Sequence, residues 1–250
     1  MSESLIQIRI SRSFAAPDMP DQAAVDTAGI AQPLPAQGAL STAAYNALLE
    51  KQGYRFTGAH SAIKTCEWTR KSLTDSGSCY KQKFYGIRSH RCNQVSVSTN
   101  FCGLGCVFCW RERHDTPYVT VDDPVSVIDK SIEAQRKLLS GFGGNDRVNK
   151  EKFKEAQEPR HWAISLTGDA LSYPKLNEFI AELDRRGHSS FIVTNGQFPK
   201  VMAKMRPPTQ LYVSVDAPNE ELLFKVDQPD NKEVAWRNLV ESMDVLRALK

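Results

Sequence analysis

All six cysteines of this chain fall into two trios, and no folding scheme is acceptable that does not bring each trio together. Cys102, Cys106 and Cys109 read C-x3-C-x2-C within Phe101-Cys-Gly-Leu-Gly-Cys-Val-Phe-Cys-Trp110. Cys66, Cys79 and Cys92 precede them, separated by two equal gaps of twelve residues. Three thiolates can hold a 4Fe–4S cube by three of its irons, which leaves the fourth iron open to a ligand. Gly103 and Gly105 let the backbone bend tightly enough to wrap such a cube. Zinc would ask for a fourth Cys or His and more often uses C-x2-C pairs; His114 could serve, so a zinc knuckle stays open, as does a set of structural thiols.

The length, 250 residues with 41% hydrophobic, suits one α/β domain or a domain with an extension. No apolar run approaches the 18 residues of a membrane span, and Met1–Phe14 lacks the apolar stretch of a signal peptide. A soluble, cytoplasmic protein with no membrane partner is therefore expected. Thiols stay reduced in that compartment, so clustered cysteines point to metal rather than disulfides.

The net charge of +3 is small but uneven. Lys64, Arg70, Lys71, Lys81, Lys83, Arg88 and Arg91 face only Glu67 and Asp75 in the same stretch, and Arg111, Arg113 and His114 follow the last cysteine. Tyr54, Phe56, Trp68, Tyr80, Phe84, Tyr85 and Trp110 are interleaved with them. Basic side chains with aromatics between them suit a nucleic-acid backbone and stacked bases. A solvated basic face around a negative cluster is the plainer reading of the same residues.

Residues 13–42 hold four prolines, eight alanines and no Lys or Arg, so 1–42 is expected to be a flexible extension or linker. Ser41-Thr42 then opens a short helix with Tyr45, Leu48 and Leu49 on one side. Residues 43–93 form a cysteine-containing segment. From 94 the pattern alternates strand and helix. Strands are expected at 94–99, 162–166, 191–193 and 211–215. Helices are expected from Asp123-Pro124, from Ser172 and Pro174, at 199–205 and at 233–249, with a loop or short polar helix over 145–160. Such repeats imply a parallel sheet or barrel whose chemistry sits at the strand C-termini. Asn100–Cys109, Thr167-Gly-Asp-Ala170, Thr194-Asn-Gly196 and Ser214-Val-Asp-Ala217 all fall there. Each could alone be a turn or a helix cap; four in succession argue for a site.

C-x3-C-x2-C with Phe108 just before the last cysteine resembles the signature of the radical S-adenosylmethionine enzymes. The resemblance implies S-adenosylmethionine chelating the open iron of a 4Fe–4S cluster on Cys102, Cys106 and Cys109. It places Thr167, Gly168 and Asp169 where the family receives the methionine amino group, although the family more often has Glu at the last position. It also brings Asn195, Ser214 and Asp216 towards the ribose and carboxylate. A full core of that kind has six strands, whereas four are counted before Leu246-Arg-Ala-Leu-Lys250. The expected fold class is thus α/β, a partial, C-terminally truncated (β/α) TIM-like barrel over 94–250.

Cys66-x12-Cys79-x12-Cys92, with Gly53–Cys66, Cys79–Cys92 and Cys109-Trp-Arg111, narrows the resemblance to the tRNA 4-demethylwyosine synthases. Those enzymes condense pyruvate with N1-methylguanosine 3′ of the anticodon of tRNA-Phe. The resemblance implies a second 4Fe–4S cluster on Cys66, Cys79 and Cys92 that presents pyruvate, and an external electron donor. Lys81 is then the candidate for a Schiff base, with Lys83 the weaker one. Arg70, Lys71, Arg88, Arg91, Arg111 and Arg113 become candidates for gripping the anticodon stem-loop, whose target base must be splayed out. The alternatives are another radical S-adenosylmethionine enzyme (an RNA modifier or a glycyl-radical activase) and a non-catalytic iron–sulfur module for RNA binding or electron transfer.

Overall fold

The computed structural model describes residues 41–248, so the extension expected over residues 1–42 lies almost wholly outside the described residues. Helix α1, Thr42–Lys51, starts where Ser41 Oγ accepts the amide of Ala44 at 3.2 Å, and buries Tyr45 and Leu49. A short antiparallel pair follows, β1 (Arg55–Phe56) and β2 (Ala62–Ile63), then two small helices, α2 (Glu67–Leu73) and α3 (Tyr80–Tyr85).

Strand β2 pairs antiparallel with β3 (Cys92–Ser96), and β3 begins a parallel run with β4 (His161–Ile164), β5 (Ser189–Thr194) and β6 (Gln210–Val213). The sheet order follows the chain from β1 to β6. Parallel strands laid down in chain order, with helices between, are the start of a β/α barrel wall. Those helices are α4 (Pro124–Leu139), α5 (Lys150–Ala156), α6 (Leu176–Arg185) and α7 (Pro199–Lys204), with α8 (Glu220–Val226) and α9 (Lys232–Ala248) after β6. No helix among the described residues is long and apolar enough to cross a membrane.

Side chains alternate across the strands. Val95, Trp162, Ile164, Ile192, Leu211 and Val213 face the helices and pack with Ile128, Phe179, Ile180, Met202 and Leu239 in the main core. The alternate residues Phe191, Val193 and Tyr212 form a separate cluster on the concave face with Tyr85 and Ile87, just after α3. The cysteine-containing segment therefore reaches into the inside of the wall.

Elements β1, β2, α2 and α3 have no counterpart in the sequence expectation, and from residue 92 onward three further differences stand out. Strand β3 starts at Cys92 rather than Gln94, because the helix-facing residue at 93 is polar: Asn93 Nδ2 donates to the Ser131 carbonyl at 3.1 Å in α4, which hides the alternation. Helix α6 starts at Leu176 rather than beside Ser172, since Asp169 caps a 3-10 turn over Ala170–Ser172 first. Helix α8 was not expected; only Leu223 of it is fully buried, too little to write a stripe into seven residues.

Candidate active site

The Cys102–Cys109 loop leaves the C-terminal end of β3 and is fastened from two sides. Gly105 donates its amide to Asp227 O at 2.9 Å, Val107 to Val226 O at 2.8 Å, and Asp230 to Gly103 O at 3.2 Å, with a Leu104–Pro229 bridge between them. On the other side Asp115 Oδ1 accepts the Cys102 amide at 2.6 Å, while Arg113 is ion-paired to both Asp115 and Asp230. Burial, followed by the carboxylates of Asp169 and Asp115, pushes the Cys102 thiol up to about 12, and burial with Asp227 raises Cys106 as well. Thiols in that state take a cation's charge to become thiolates. His114, the residue a zinc knuckle would need, is stacked on Tyr45 at 4.7 Å with Nε2 on Thr42 Oγ1 at 3.3 Å. His114 is thus already engaged, which removes the fourth ligand that a zinc knuckle on this loop would need. Three thiols remain as donors, the number that a 4Fe–4S cube with one open iron takes from the chain.

The strand-end residues meet the same loop. Gly168 has φ +67°, and a Cβ there would lie 1.7 Å from the Ser98 carbonyl oxygen, so the turn after β4 lies directly on the turn after β3. Thr167 is buried and its carbonyl accepts the Ser96 hydroxyl. The Asp169 carboxylate takes the Leu171 amide at 2.8 Å, the Thr194 hydroxyl at 2.9 Å and the Asn195 amide at 2.7 Å. Burial pushes its carboxyl up to about 6 against those three donors. Its oxygens thus stitch β4 to β5, and what the turn offers a ligand is backbone. Asn195 carries the stitch on: its Nδ2 donates to Cys102 O at 2.8 Å and lies 3.8 Å from Cys102 Sγ. Ser214 is half-buried, its amide on Thr194 O at 2.9 Å; Asp216 is exposed and within electrostatic reach of Cys106; Phe108 is exposed. Asp227, which sequence reasoning missed, is buried beside Cys106, its Oδ1 without a hydrogen-bond partner among the described residues, and burial followed by Asp216 raises its carboxyl. No pattern in residues 218–232 marks it out.

The second trio gathers at the other end of β3. Cys66 and Cys79 precede the first turns of α2 and α3, and Cys92 is the first residue of β3. Thr69 Oγ1 donates to Ser89 O at 3.1 Å, and Ser89 Oγ accepts the Cys79 amide at 3.0 Å, which ties the three segments together. Burial pushes the Cys92 thiol up to about 12; Lys81 pulls it down and Cys66 and Cys79 push it further up, so all four groups share one electrostatic neighbourhood. Lys81 is buried in the first turn of α3, its Nζ 4.8 Å from the Phe191 ring centre and 5.7 Å from that of Tyr212. Those rings line the concave face, so the amine points into the wall's interior. Lys83 is exposed.

Residues 96–250 match the family described as the radical SAM superfamily. The chain belongs to that superfamily. A radical SAM chain uses S-adenosylmethionine and a 4Fe–4S cluster, and the thiols of the C-x3-C-x2-C loop are the candidate ligands for it. This radical SAM chain is 43% identical over 195 residues to the S-adenosyl-L-methionine-dependent tRNA 4-demethylwyosine synthase of Pyrococcus abyssi, covering 75% of this chain and 57% of that one. It is 41% identical over 191 residues to the mouse (Mus musculus) enzyme of that description, TYW1, covering 74% of this chain and 26% of that one. The chain thus spans little more than half the length of the archaeal relative. A solved structure of TYW1 with a lysine-pyruvate adduct bound superposes with a TM-score of 0.75 at 36% identity, over 81% of this chain and 67% of that one. A crystal structure of archaeal TYW1 gives 0.68 at 35% identity over the same shares.

The radical SAM core sorts the basic side chains into two groups. Arg88 pairs with Glu155, Arg91 Nε donates to Glu158 O at 3.0 Å, Lys71 pairs with Glu67 over the Trp68 ring, and Arg113 is spent on its own loop. Arg70 and Arg111 instead crowd Lys64, whose ammonium pKa is pulled down by burial and then by those two cations.

Proposed function

We propose that this chain carries out the reaction of the tRNA 4-demethylwyosine synthases it resembles. N1-methylguanosine 3′ of the anticodon of tRNA-Phe would be condensed with pyruvate, the carboxyl carbon of pyruvate leaving, as a carbon–carbon lyase. The observation that carries this reading is Lys81: a buried amine held against Phe191 and Tyr212, beside Cys66, Cys79 and Cys92. A family enzyme acting on RNA alone has no need of a primary amine inside its wall; one that captures a keto acid does. The relative with the lysine–pyruvate adduct supports the same assignment.

Cys102, Cys106 and Cys109 would hold a 4Fe–4S cluster that, with S-adenosylmethionine bound, would supply a hydrogen-abstracting 5′-deoxyadenosyl radical. The chain's own residues then divide the remaining work. Asp169 and Asn195 hold the strand-end turns against Cys102. Cys66, Cys79 and Cys92 would hold the second 4Fe–4S cluster, which would bind the keto acid. Lys81 would add through its ε-nitrogen to C2 of pyruvate with loss of water, giving an imine. The N1-methylene radical would bond to C2, and the C1–C2 bond would break with C1 leaving as the carboxylate carrying the unpaired electron. The two-carbon unit would stay on Lys81 as an imine until the guanine N2 amine displaces the lysine and closes the ring.

The test is a reconstitution under nitrogen with N1-methylated tRNA, S-adenosylmethionine, pyruvate and a chemical reductant. A tricyclic nucleoside and about eight irons per chain, two cubes' worth, are expected. Borohydride should trap pyruvate on the wild-type chain and not on Lys81→Arg. Formation of 5′-deoxyadenosine without a tricyclic nucleoside would sink the proposal.

A further inference from the structure

Between the two trios lies a group of residues that neither the cluster ligands nor Lys81 account for. Lys64 stands two residues before Cys66, its amide on Gln94 O at 3.2 Å; Arg111 stands two residues after Cys109, its Nη2 3.4 Å from Ser165 O. The Trp110 ring joins them, with Lys64 Nζ 5.5 Å and Arg111 Cζ 5.0 Å from its centre. Tyr54 backs Lys64 at 5.0 Å. The cysteine loop thus folds back from the C-terminal end of β3 to meet the segment that carries the second trio.

We propose that Lys64 and Arg111 form a phosphate site for RNA, with Trp110 as the platform for the adjacent base, at the passage between the two trios. This rests on the RNA-modifying reading above and names the residues that hold the nucleotide. Two observations point to an anion. Neither cation has a carboxylate partner among the described residues, whereas Lys71, Arg88 and Arg113 all do. The Nε of Arg111 is buried with no hydrogen-bond acceptor among the described residues. Trp110 then selects the kind of anion. It is 68% exposed despite its two cations, a cost that a stacked base removes. A keto acid offers no flat ring to cover it, and its place is already given by Lys81.

Anisotropy titration of the iron-loaded chain with a labelled anticodon stem-loop, without pyruvate or S-adenosylmethionine, tests this. In a salt series Lys64→Gln should lower the slope of log K against log salt by about 1. Trp110→Leu should weaken binding on the order of tenfold, and should have no effect on an RNA made abasic at the target position. Unchanged slope in Lys64→Gln together with unchanged affinity in Trp110→Leu would overturn the proposal. So would loss of iron from Lys64→Gln at unchanged RNA affinity, which would make Lys64 a counter-charge for the cluster. A chain that binds RNA in the expected way but makes no tricyclic nucleoside would refute the proposed function and leave this site standing.

Discussion

The side-chain Nδ2 of Asn195 reaches both the carbonyl of Cys102, at 2.8 Å, and its sulfur, at 3.8 Å. One side chain at the end of β5 thereby holds a thiol that belongs to the loop after β3. An N–H aimed at a cluster sulfur stabilises the more electron-rich, reduced state. Asn195→Ala should therefore move the midpoint potential of the first cluster to more negative values, read by a redox titration monitored by electron paramagnetic resonance. An unmoved midpoint would reduce Asn195 to a turn residue.

Gly168 admits no side chain. A Cβ would sit 1.7 Å from one carbonyl oxygen and 2.8 Å from another, on a backbone at φ +67°. Gly168→Ala must move one strand-end turn off the other, at a cost of about 3 kcal/mol or more. The expected result is a lowered Tm with reduced iron content, whereas Gly187→Ala, at a similar φ but in open space, should cost about 1 kcal/mol and keep its iron.

Lys81 is buried against aromatic rings with no carboxylate partner among the described residues. A lone cation in that setting is a burden on the fold. In the iron-free chain Lys81→Met, which keeps the length and removes the charge, should raise stability by about 1 kcal/mol. The same change should abolish borohydride trapping. A lower Tm would show that the ammonium is satisfied there.

Two histidines set a pH window. His161, buried and then pressed by Arg91, and His188, buried and then pressed by Arg160, are both held down to about 4 from 6.5. His188 Nδ1 accepts the Trp162 indole at 2.9 Å, and His161 Nε2 accepts the Arg88 amide at 3.2 Å, bonds that a protonated ring cannot make. The unfolded chain binds the extra protons first, so this stability is whole above pH 6.5 and is lost as pH falls towards 4. Thermal melts across that interval should show the fall, and His188→Gln should make it shallower. Asp169, held up at about 6, gains native stability over the same interval and offsets part of the fall. The deciding comparison is therefore the mutant: a pH dependence unchanged in His188→Gln would count against its assignment.

The parallel strands were legible in the sequence because their apolar residues alternate and turn chemistry follows each. The first trio was legible from spacing alone. Between 53 and 93, by contrast, β1, β2, α2 and α3 gave no periodic signal: the strands are two residues long, and the helices are held by Thr69, Ser89 and Gln82 rather than by a stripe. Nor did spacing show that the second trio sits at the opposite end of β3 from the first. Asp227 and the clamp around Lys64 depend on chain segments far apart in sequence, which no local pattern records.

The fastening of Gly103–Val107 to Val226–Asp230 has a consequence for biogenesis. On a growing polypeptide the second trio can close as soon as β3 exists, since its ties are local. The first trio has no finished cradle until more than a hundred further residues have left the ribosome. Its thiols would wait, reduced and exposed to oxidants, while that stretch is made. On the proposed two-cluster assignment, iron would reach the two trios at different times, with Cys102, Cys106 and Cys109 filled last.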